Sequence, residues 1–130
     1  MALLVKKFGG TSVGDVNKIK NIASNISKSK ESGNDIVIVV SAMGHSTDNL
    51  NNLAYSISKK PPKRELDMLL STGEQVTIAL LSIALNECGI PAISMTGSQV
   101  GIITESLHGK ARILEIKTNR IKDHLDQGYV

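Results

Sequence analysis

Short apolar runs and amphipathic stretches alternate along the first half of this chain. The run from Ala2 to Val5 predicts a buried strand, and the β-branched run from Ile36 to Val40 predicts a second one. Between them, apolar residues recur at helical spacing from Asp15, the expected N-cap, to Lys30. The same spacing over Leu50 to Ile57 predicts a second helix. This alternation predicts an α/β fold with a mainly parallel sheet.

The second half of the chain continues the alternation after an interruption. The segment Lys59–Lys63, with two prolines and three lysines, predicts an exposed connector. A helical segment over Glu65–Leu70 follows, and Ser71–Glu74 then leads into a long apolar helix that Gly89 closes. Pro91–Thr96 predicts a third strand. The remaining predicted elements are two short strands and a last helix, at Ile102–Ile103, Arg112–Ile116 and Asn119–Gln127.

Composition narrows the class of protein. The 130 residues allow one domain, and 41% apolar with 21% charged residues is typical of a soluble globular chain. The formal charge of +3 is spread along the chain with few aromatic residues, so we expect no nucleic-acid partner. We expect no membrane span and no secretion signal, and therefore a cytoplasmic location. The single cysteine, Cys88, is interpreted as a small core residue in a reducing compartment.

Three of the predicted strands end in loops of small and polar residues. These loops are Gly9–Ser12, Ser41–Gly44 and Thr96–Ser98. Ligands of parallel α/β sheets bind beyond the carboxyl ends of the strands, so the three loops are expected to open on the same edge. Their convergence is a stronger indication of a site than any loop alone.

The first loop has residue types that suit a phosphate. Lys6 and Lys7 must point to opposite faces of the strand, which leaves Lys7 as the candidate charge beside Gly9–Ser12. Glycines allow close backbone approach, and successive N–H groups can bind an anion. The loop is neither a Walker A motif nor a dinucleotide-binding motif. A tight strand-to-helix turn that needs glycine explains it about as well.

Two further segments carry candidate ligand contacts. Ser41–Asp48 leads into a helix whose free N–H groups could bind an acid, with the Thr47 hydroxyl as a further contact. The alternative is that Thr47 and Asp48 only cap that helix. Glu74 could accept hydrogen bonds from a substrate ammonium group, or could be a first-turn carboxylate favoured by the helix dipole. The histidines show no metal-ligand spacing, so no protein-bound metal site is predicted; they are His45, His108 and His124.

Taken together, these segments resemble the start of an aspartokinase. Four motifs carry the resemblance in the family's order and cover nearly the whole chain: Lys7–Val13, Val40–Gly44 with Thr47, Asp48 and Leu50, Leu70–Glu74, and Thr96–Ile102. The resemblance implies a three-layer αβα sandwich of the amino-acid kinase, or carbamate kinase-like, fold. It also implies ATP-dependent phosphorylation of the side-chain carboxylate of L-aspartate to 4-phospho-L-aspartate. That reaction is the first step towards lysine, threonine and methionine.

The resemblance also implies roles for individual residues. The residues that match the ATP-phosphate contacts, with Lys7 as the catalytic charge stabiliser, are Lys7, Phe8, Gly9, Gly10, Thr11 and Ser12. Those that match substrate contacts are Ser41, Thr47, Glu74, Leu125 and Asp126. Mg²⁺ would arrive with ATP and bridge its phosphate oxygens.

Length is where the chain departs from the family, because aspartokinases are considerably longer. Residues 1–130 are therefore expected to be the N-terminal portion of an amino-acid kinase domain, without the rest of that domain or the ACT regulatory domains. An unpaired sheet edge would favour a homo-oligomer. Two alternatives stay open: a non-catalytic αβ fragment that acts only by folding or self-association, and another amino-acid kinase such as a glutamate kinase.

Overall fold

A computed structural model describes residues 1–130 and contains four strands and four helices. In chain order these are β1 (Leu3–Phe8), α1 (Val16–Glu31), β2 (Asp35–Val40), α2 (Ser46–Ile57), α3 (Lys63–Glu87), β3 (Ile102–Thr104), β4 (Ile113–Ile116) and α4 (Asn119–Asp126). Strands and helices alternate up to α2, which confirms the predicted α/β class.

Strands β1 and β2 form a parallel pair joined by α1. The pairing begins with Leu3 opposite Asp35 and ends with Phe8 opposite Val40. The β-branched side chains of β2 favour this extended backbone, and Ile36 is fully buried. The prediction of a buried β1 is wrong on one face, because Leu3 and Val5 are more than half exposed. The predicted parallel pairing is confirmed.

Helix α1 covers the other face of this pair together with α3. Asp15 is the N-cap, as predicted, and its side chain accepts a hydrogen bond of 2.8 Å from the backbone N–H of Lys18. The apolar side chains of α1 recur on one face and meet α3 and β2. The core they form consists of Val13, Ile19, Ile22, Ala23, Ile26, Ile36, Leu81 and Leu85.

Helix α3 is one continuous helix of 25 residues. The prediction of a separate segment at Glu65–Leu70 is therefore wrong, because Ser71–Glu74 continues the helix instead of opening a new one. By length and composition α3 could cross a membrane, contrary to the sequence expectation. Leu81 and Leu85 are buried in the core against α1, although only 22% of the apolar window of α3 is buried.

Two further expectations fail in the segment after α3. Pro91–Thr96 is not a strand, because it has no neighbouring strand to pair with. Its strand-like backbone hydrogen bonds are limited to one residue, Val130, which donates to the Pro91 carbonyl and accepts from the Ile93 N–H. Cys88 is exposed at the end of α3 and is not a core residue. Its position after the last helical turn, not the apolarity of the preceding residues, decides its exposure.

The last part of the chain is an antiparallel hairpin, β3–β4, followed by α4. Gly101 has a φ of +92° and lies against Lys117, where a Cβ would be 2.6 Å from the Lys117 carbonyl oxygen. Only glycine fits both conditions, so Gly101 fixes how closely the two ends of the hairpin approach. Helix α4 ends at Asp126, and Gly128 with a φ of +86° closes it as predicted.

Candidate functional site

The loop after β1 packs directly on the loop after β2. The Gly44 N–H donates to the Gly10 carbonyl at 3.0 Å, and the Ser41 N–H donates to the Phe8 carbonyl at 3.2 Å. A Cβ on Gly10 would lie 2.9 Å from the Ala42 carbonyl oxygen, so the approach requires glycine. The two loops therefore meet at the carboxyl ends of their strands, as the sequence predicts.

The glycine loop presents backbone donors. The N–H groups of Gly9, Gly10 and Thr11 make no hydrogen bond within the chain, while the next N–H, of Ser12, turns back to the Gly9 carbonyl. Successive free N–H groups in a loop form an anion-binding concavity. Three neighbouring N–H groups at the end of a parallel strand can therefore donate hydrogen bonds to a phosphate.

Lys18, in the first turn of α1, contacts this loop and was not among the residues predicted from the sequence. Its Nζ donates to the Thr11 carbonyl at 3.0 Å, and a Cβ on Gly14 would lie 3.8 Å from the same nitrogen. The Asp15 cap sets the start of α1 and thereby turns Lys18 back towards the loop. The position of Lys18, three residues after the Asp15 cap, could have indicated this contact, since the first helical turn is adjacent to the loop that precedes it.

Lys6 and Lys7 lie on opposite faces of β1. Lys6 is half-buried on the α1 side, where its Nζ is 3.5 Å from the Ser29 hydroxyl. Lys7 is exposed on the other face, beside Val39 in the strand register. Lys7 therefore keeps its ammonium free, one residue before Phe8 and the glycine loop.

Helix α2 begins one residue before Thr47. Its N-cap is His45, which makes no side-chain capping bond, so the alternative that Thr47 caps the helix is wrong. Thr47 is half-buried in the first turn, and the backbone N–H groups of Thr47 and Asp48 have no hydrogen-bond partner in the chain. An uncapped helix N-terminus with free donors suits a carboxylate or a phosphate.

Glu74 projects from the interior of α3, eleven residues after the helix begins at Lys63. The alternative that Glu74 is a first-turn carboxylate favoured by the helix dipole is therefore wrong. The preceding residue, Gly73, is buried against the second loop, where an added Cβ would be 3.0 Å from the Ala42 Cβ and 3.6 Å from Leu50 Cδ1. This close packing brings the helix carrying Glu74 against both the loop after β2 and α2.

The third loop meets Glu74 across a cavity. This cavity, of about 660 Å³, is bordered by Glu74 and Ser71 on α3, by the Thr96–Ser98 loop and by the edge of β2. Gln99 holds the loop through two bonds with Thr96, and its carbonyl accepts a hydrogen bond from Arg120 of α4. All three predicted loops thus lie at the carboxyl end of the parallel pair.

Neither Leu125 nor Asp126 borders the cavity between Glu74 and the Thr96–Ser98 loop. Leu125 is half-buried on α4 and borders a cavity of about 110 Å³ beside Val37, whereas Asp126 is exposed at the end of the helix. Ser41 is half-buried directly after β2. The roles that the resemblance implies for these three residues stay predictions.

No group of three or more His, Cys, Asp or Glu side chains is placed to hold a metal ion. The charged side chains around the loops include the cations Lys7, Lys18 and Arg120 and the carboxylates of Asp15, Asp48 and Glu74. The arrangement therefore separates cations at the glycine loop from a carboxylate on α3. It can bind an anion at one end and a group bearing an ammonium at the other.

Comparison with known proteins identifies the class. The model of the amino acid kinase family matches residues 2–130, and the chain belongs to this family. Among curated relatives, it is 58% identical to an aspartokinase of Bacillus sp. (strain MGA3) and 57% identical to aspartokinase 2 of Bacillus subtilis (strain 168). Both matches cover 100% of this chain and 32% of the relative. The chain thus spans about a third of the length of the curated relatives it matches.

Solved structures agree with this assignment. The aspartate kinase from Synechocystis matches at 56% identity with a TM-score of 0.83, over 97% of this chain and 20% of that one. Aspartokinase III of E. coli, solved in complex with aspartate and ADP, matches at 18% identity with a TM-score of 0.78, over 100% of this chain and 40% of that one. A carbamate kinase from Giardia lamblia matches at 16% identity with a TM-score of 0.62, over 96% of this chain and 52% of that one. The last two support the fold alone, and the predicted amino-acid kinase fold is confirmed.

Proposed function

We propose that this chain forms the aspartate-binding and phosphate-binding part of an ATP-dependent aspartate kinase. The reaction would convert L-aspartate and ATP into 4-phospho-L-aspartate and ADP, as the first step towards lysine, threonine and methionine. The enzyme would act in the cytoplasm as a homo-oligomer. The 130-residue chain alone would bind ligands weakly and turn over negligibly.

One observation carries the proposal. The glycine loop, the Ser41–Gly44 loop and the helix bearing Glu74 pack on one another at Gly10, Ala42 and Gly73. The N–H groups that can bind phosphate and the carboxylate of Glu74 are thereby held at one end of the parallel strands, where ligands of such sheets bind. The 58% identity to an aspartokinase supports the same activity.

The reaction requires no proton transfer by the protein. A side-chain carboxylate oxygen of aspartate attacks the γ-phosphorus, a new P–O bond forms, and the bond between the γ-phosphorus and the β,γ-bridging oxygen breaks to release ADP. A carboxylate carries no proton at neutral pH, so no general base is required. Catalysis then depends on alignment and on neutralising charge at the migrating phosphoryl group.

The glycine loop and two lysines would perform that neutralisation. The free N–H groups of Gly9, Gly10 and Thr11 would donate to the phosphate oxygens, and Lys7 would place its ammonium near the transferred group. Lys18 would add positive charge from the first turn of α1. Mg²⁺ would be held by the phosphate oxygens of the nucleotide and would offset part of their charge.

Aspartate would be bound from the other side. The Thr47 hydroxyl and the free N–H groups at the start of α2 would hold a carboxylate, with Ser41 close by at the end of β2. Glu74 would accept hydrogen bonds from the α-ammonium group. The same two contacts then orient the side-chain carboxylate without taking part in the bond changes.

Isothermal titration of the 130-residue chain with L-aspartate tests this assignment. We expect saturable binding that Thr47→Ala weakens about tenfold, the effect of losing one hydrogen bond to a charged group. Glu74→Gln should weaken it by a similar factor of about ten, because the glutamine keeps an acceptor oxygen but loses the negative charge that strengthens the bond to an ammonium group. Glu87→Gln is the matched control, because Glu87 is an exposed carboxylate at the far end of the same helix. It should leave the affinity unchanged.

The outcomes separate the alternatives. Binding of L-glutamate in preference to L-aspartate would assign the chain to another amino-acid kinase. Equal weakening by Glu74→Gln and Glu87→Gln would remove Glu74 from the site. If the folded chain binds neither amino acid nor ATP with Mg²⁺, this assignment of the binding residues is wrong for the isolated chain.

A non-catalytic role in self-association is the second candidate. The outer face of the parallel pair exposes apolar side chains, with Leu3 at 61%, Val5 at 66% and Val39 at 47% exposure. Apolar patches of this kind favour association. Analytical ultracentrifugation with Val5→Lys would detect it, because a charge on this face should dissociate an oligomer built on it and leave a monomer unaffected.

A further inference from the structure

The lysine-rich connector before α3 forms one wall of a cavity far along the chain from the glycine loop. The cavity has a volume of about 520 Å³. The connector contributes Lys59, Lys60 and Lys63, and the turn between β3 and β4 contributes Lys110 from the opposite side. Tyr55, at the end of α2, completes an edge of the cavity with its ring half exposed. We call this space the lysine cavity.

The charge of the lysine cavity is not balanced by the protein. Its lining holds four lysines and a single carboxylate, Asp67, and none of these lysines has an ion-pair partner within the chain. The formal charge of the lining is thus as large as the +3 of the entire chain. Like charges converging on a concave surface focus a positive potential there.

Asp67 offsets only one of the four lysine charges, and its carboxylate is also held by structural partners. Its Oδ2 accepts a hydrogen bond of 3.0 Å from the Gly109 N–H and lies 3.1 Å from His108 Nδ1. These contacts fasten the β3–β4 turn to α3 and bring Lys110 opposite the connector. The aliphatic stem of Lys63 also packs here, since a Cβ on Gly109 would lie 3.7 Å from its Cδ.

Backbone donors add to the lysines. Helix α3 begins at Lys63 with Pro62 as a cap that has no side-chain bond. The N–H groups of Lys63, Arg64 and Glu65 find no acceptor in the chain. The positive end of the helix therefore faces the same region as the lysine side chains.

We infer that the lysine cavity binds a small anion carrying two or more phosphate groups. Several ammonium groups from two separate segments match the several charges of such an anion, and each contact relieves repulsion among the lysines. The volume exceeds that of one phosphate, and the exposed ring of Tyr55 offers a surface for a nucleobase. The site is separate from the phosphate contacts proposed at Gly9–Ser12.

The test is backbone amide NMR of the 130-residue chain titrated with inorganic pyrophosphate. We expect the amide signals of Arg64, Glu65 and Gly109 to shift together with one saturable affinity. Lys60→Gln/Lys63→Gln should weaken that affinity at least about tenfold, since each lost contact to a charged group has an effect of that size. Lys20→Gln/Lys28→Gln, which removes two exposed lysines of α1, is the matched control.

Each outcome decides the inference. Shifts confined to Gly9–Ser12 would overturn it, because pyrophosphate would then bind at the glycine loop. Equal weakening by the two double variants would also overturn it, because binding would then be non-specific. A parallel titration with ADP distinguishes the source of the phosphate groups. Tighter binding of ADP than of pyrophosphate, lost with Tyr55→Ala, would identify a nucleotide; equal affinities would identify the phosphate groups alone. All variants change exposed side chains, and circular dichroism verifies that they are folded.

Discussion

Gly10 and Ala42 are in backbone contact across the two loops that follow β1 and β2. A Cβ on Gly10 would come within 2.9 Å of the Ala42 carbonyl oxygen, and the Gly44 N–H donates to the Gly10 carbonyl at 3.0 Å. Because the neighbouring atoms belong to the backbone, no side-chain rotation can make room for a methyl group. The distance between the loop proposed for phosphate and the loop proposed for aspartate therefore depends on glycine at position 10.

Gly10→Ala should destabilise the chain by about 1–3 kcal/mol, the usual effect of overpacking a closely packed position. The measurement is the free energy of unfolding in urea. Gly9→Ala is the control, because a Cβ there meets nothing within 4 Å and its φ is not positive. That variant should be neutral or slightly more stable. A similar loss in both variants would mean that the contact with Ala42 does not limit position 10.

Local sequence patterns were sufficient for much of the first half of the fold. The spacing of apolar residues and the Asp15 cap predicted α1, and the β-branched run predicted β2. These features depend on interactions within a few residues, which is why a single sequence contains them. The meeting of the loops after β1 and β2 follows from parallel pairing, a rule of topology that also needs no distant contact.

The predictions failed where distant contacts decide the structure. The sequence predicts that a new helix follows Ser71–Glu74, but α3 continues through this segment, and the missing side chain of Gly73 allows contact with Ala42 and Leu50. Pro91–Thr96 has the composition of a strand, yet a strand requires a bonded neighbour, and its ladder bonds are limited to Val130. Neither condition can be read from residues close in sequence.

The candidate site was predictable in residue type and only partly in geometry. Glycines and hydroxyl groups at strand ends indicated a phosphate-binding loop, but Lys18 reaches Thr11 from the next element and was missed. Glu74 was expected at a helix start and lies inside α3. Its place near the loops comes from the packing of Gly73, which is a property of the folded chain.

A double-mutant cycle at Gly73 and Ala42 tests that packing. In a free helix, Gly→Ala would stabilise by about 1 kcal/mol. Here an added Cβ would lie 3.0 Å from the Ala42 Cβ, so Gly73→Ala alone should lose this gain. In the Ala42→Gly background the gain should return, giving a coupling energy of about 1 kcal/mol in urea unfolding. Additive effects would show that the two Cβ positions do not conflict.

The Asp15 cap should contribute about 1 kcal/mol to stability. Its carboxylate accepts the Lys18 N–H at 2.8 Å, a donor that no carbonyl of the helix can satisfy. Asp15→Ala should therefore lower the free energy of unfolding by about that amount, whereas Asp15→Asn, which also caps well, should preserve most of it. Thermal unfolding followed by circular dichroism measures both. If Asn is as destabilising as Ala, the charge and not the hydrogen bond is responsible.

Burial, more than hydrophobicity, should decide the effect of truncating α3. Leu85 is 2% exposed in the core, while Ile83 on the same helix is 65% exposed. Leu85→Ala removes packed methyl groups and leaves a cavity, so it should destabilise by about 2–5 kcal/mol. Ile83→Ala should change stability by no more than about 0.5 kcal/mol, because little packing is lost and alanine favours the helix. Urea unfolding measures both variants. Comparable losses would mean that Ile83 is covered in solution, for instance by a second copy of the chain, and sedimentation of the unmodified chain would then show an oligomer.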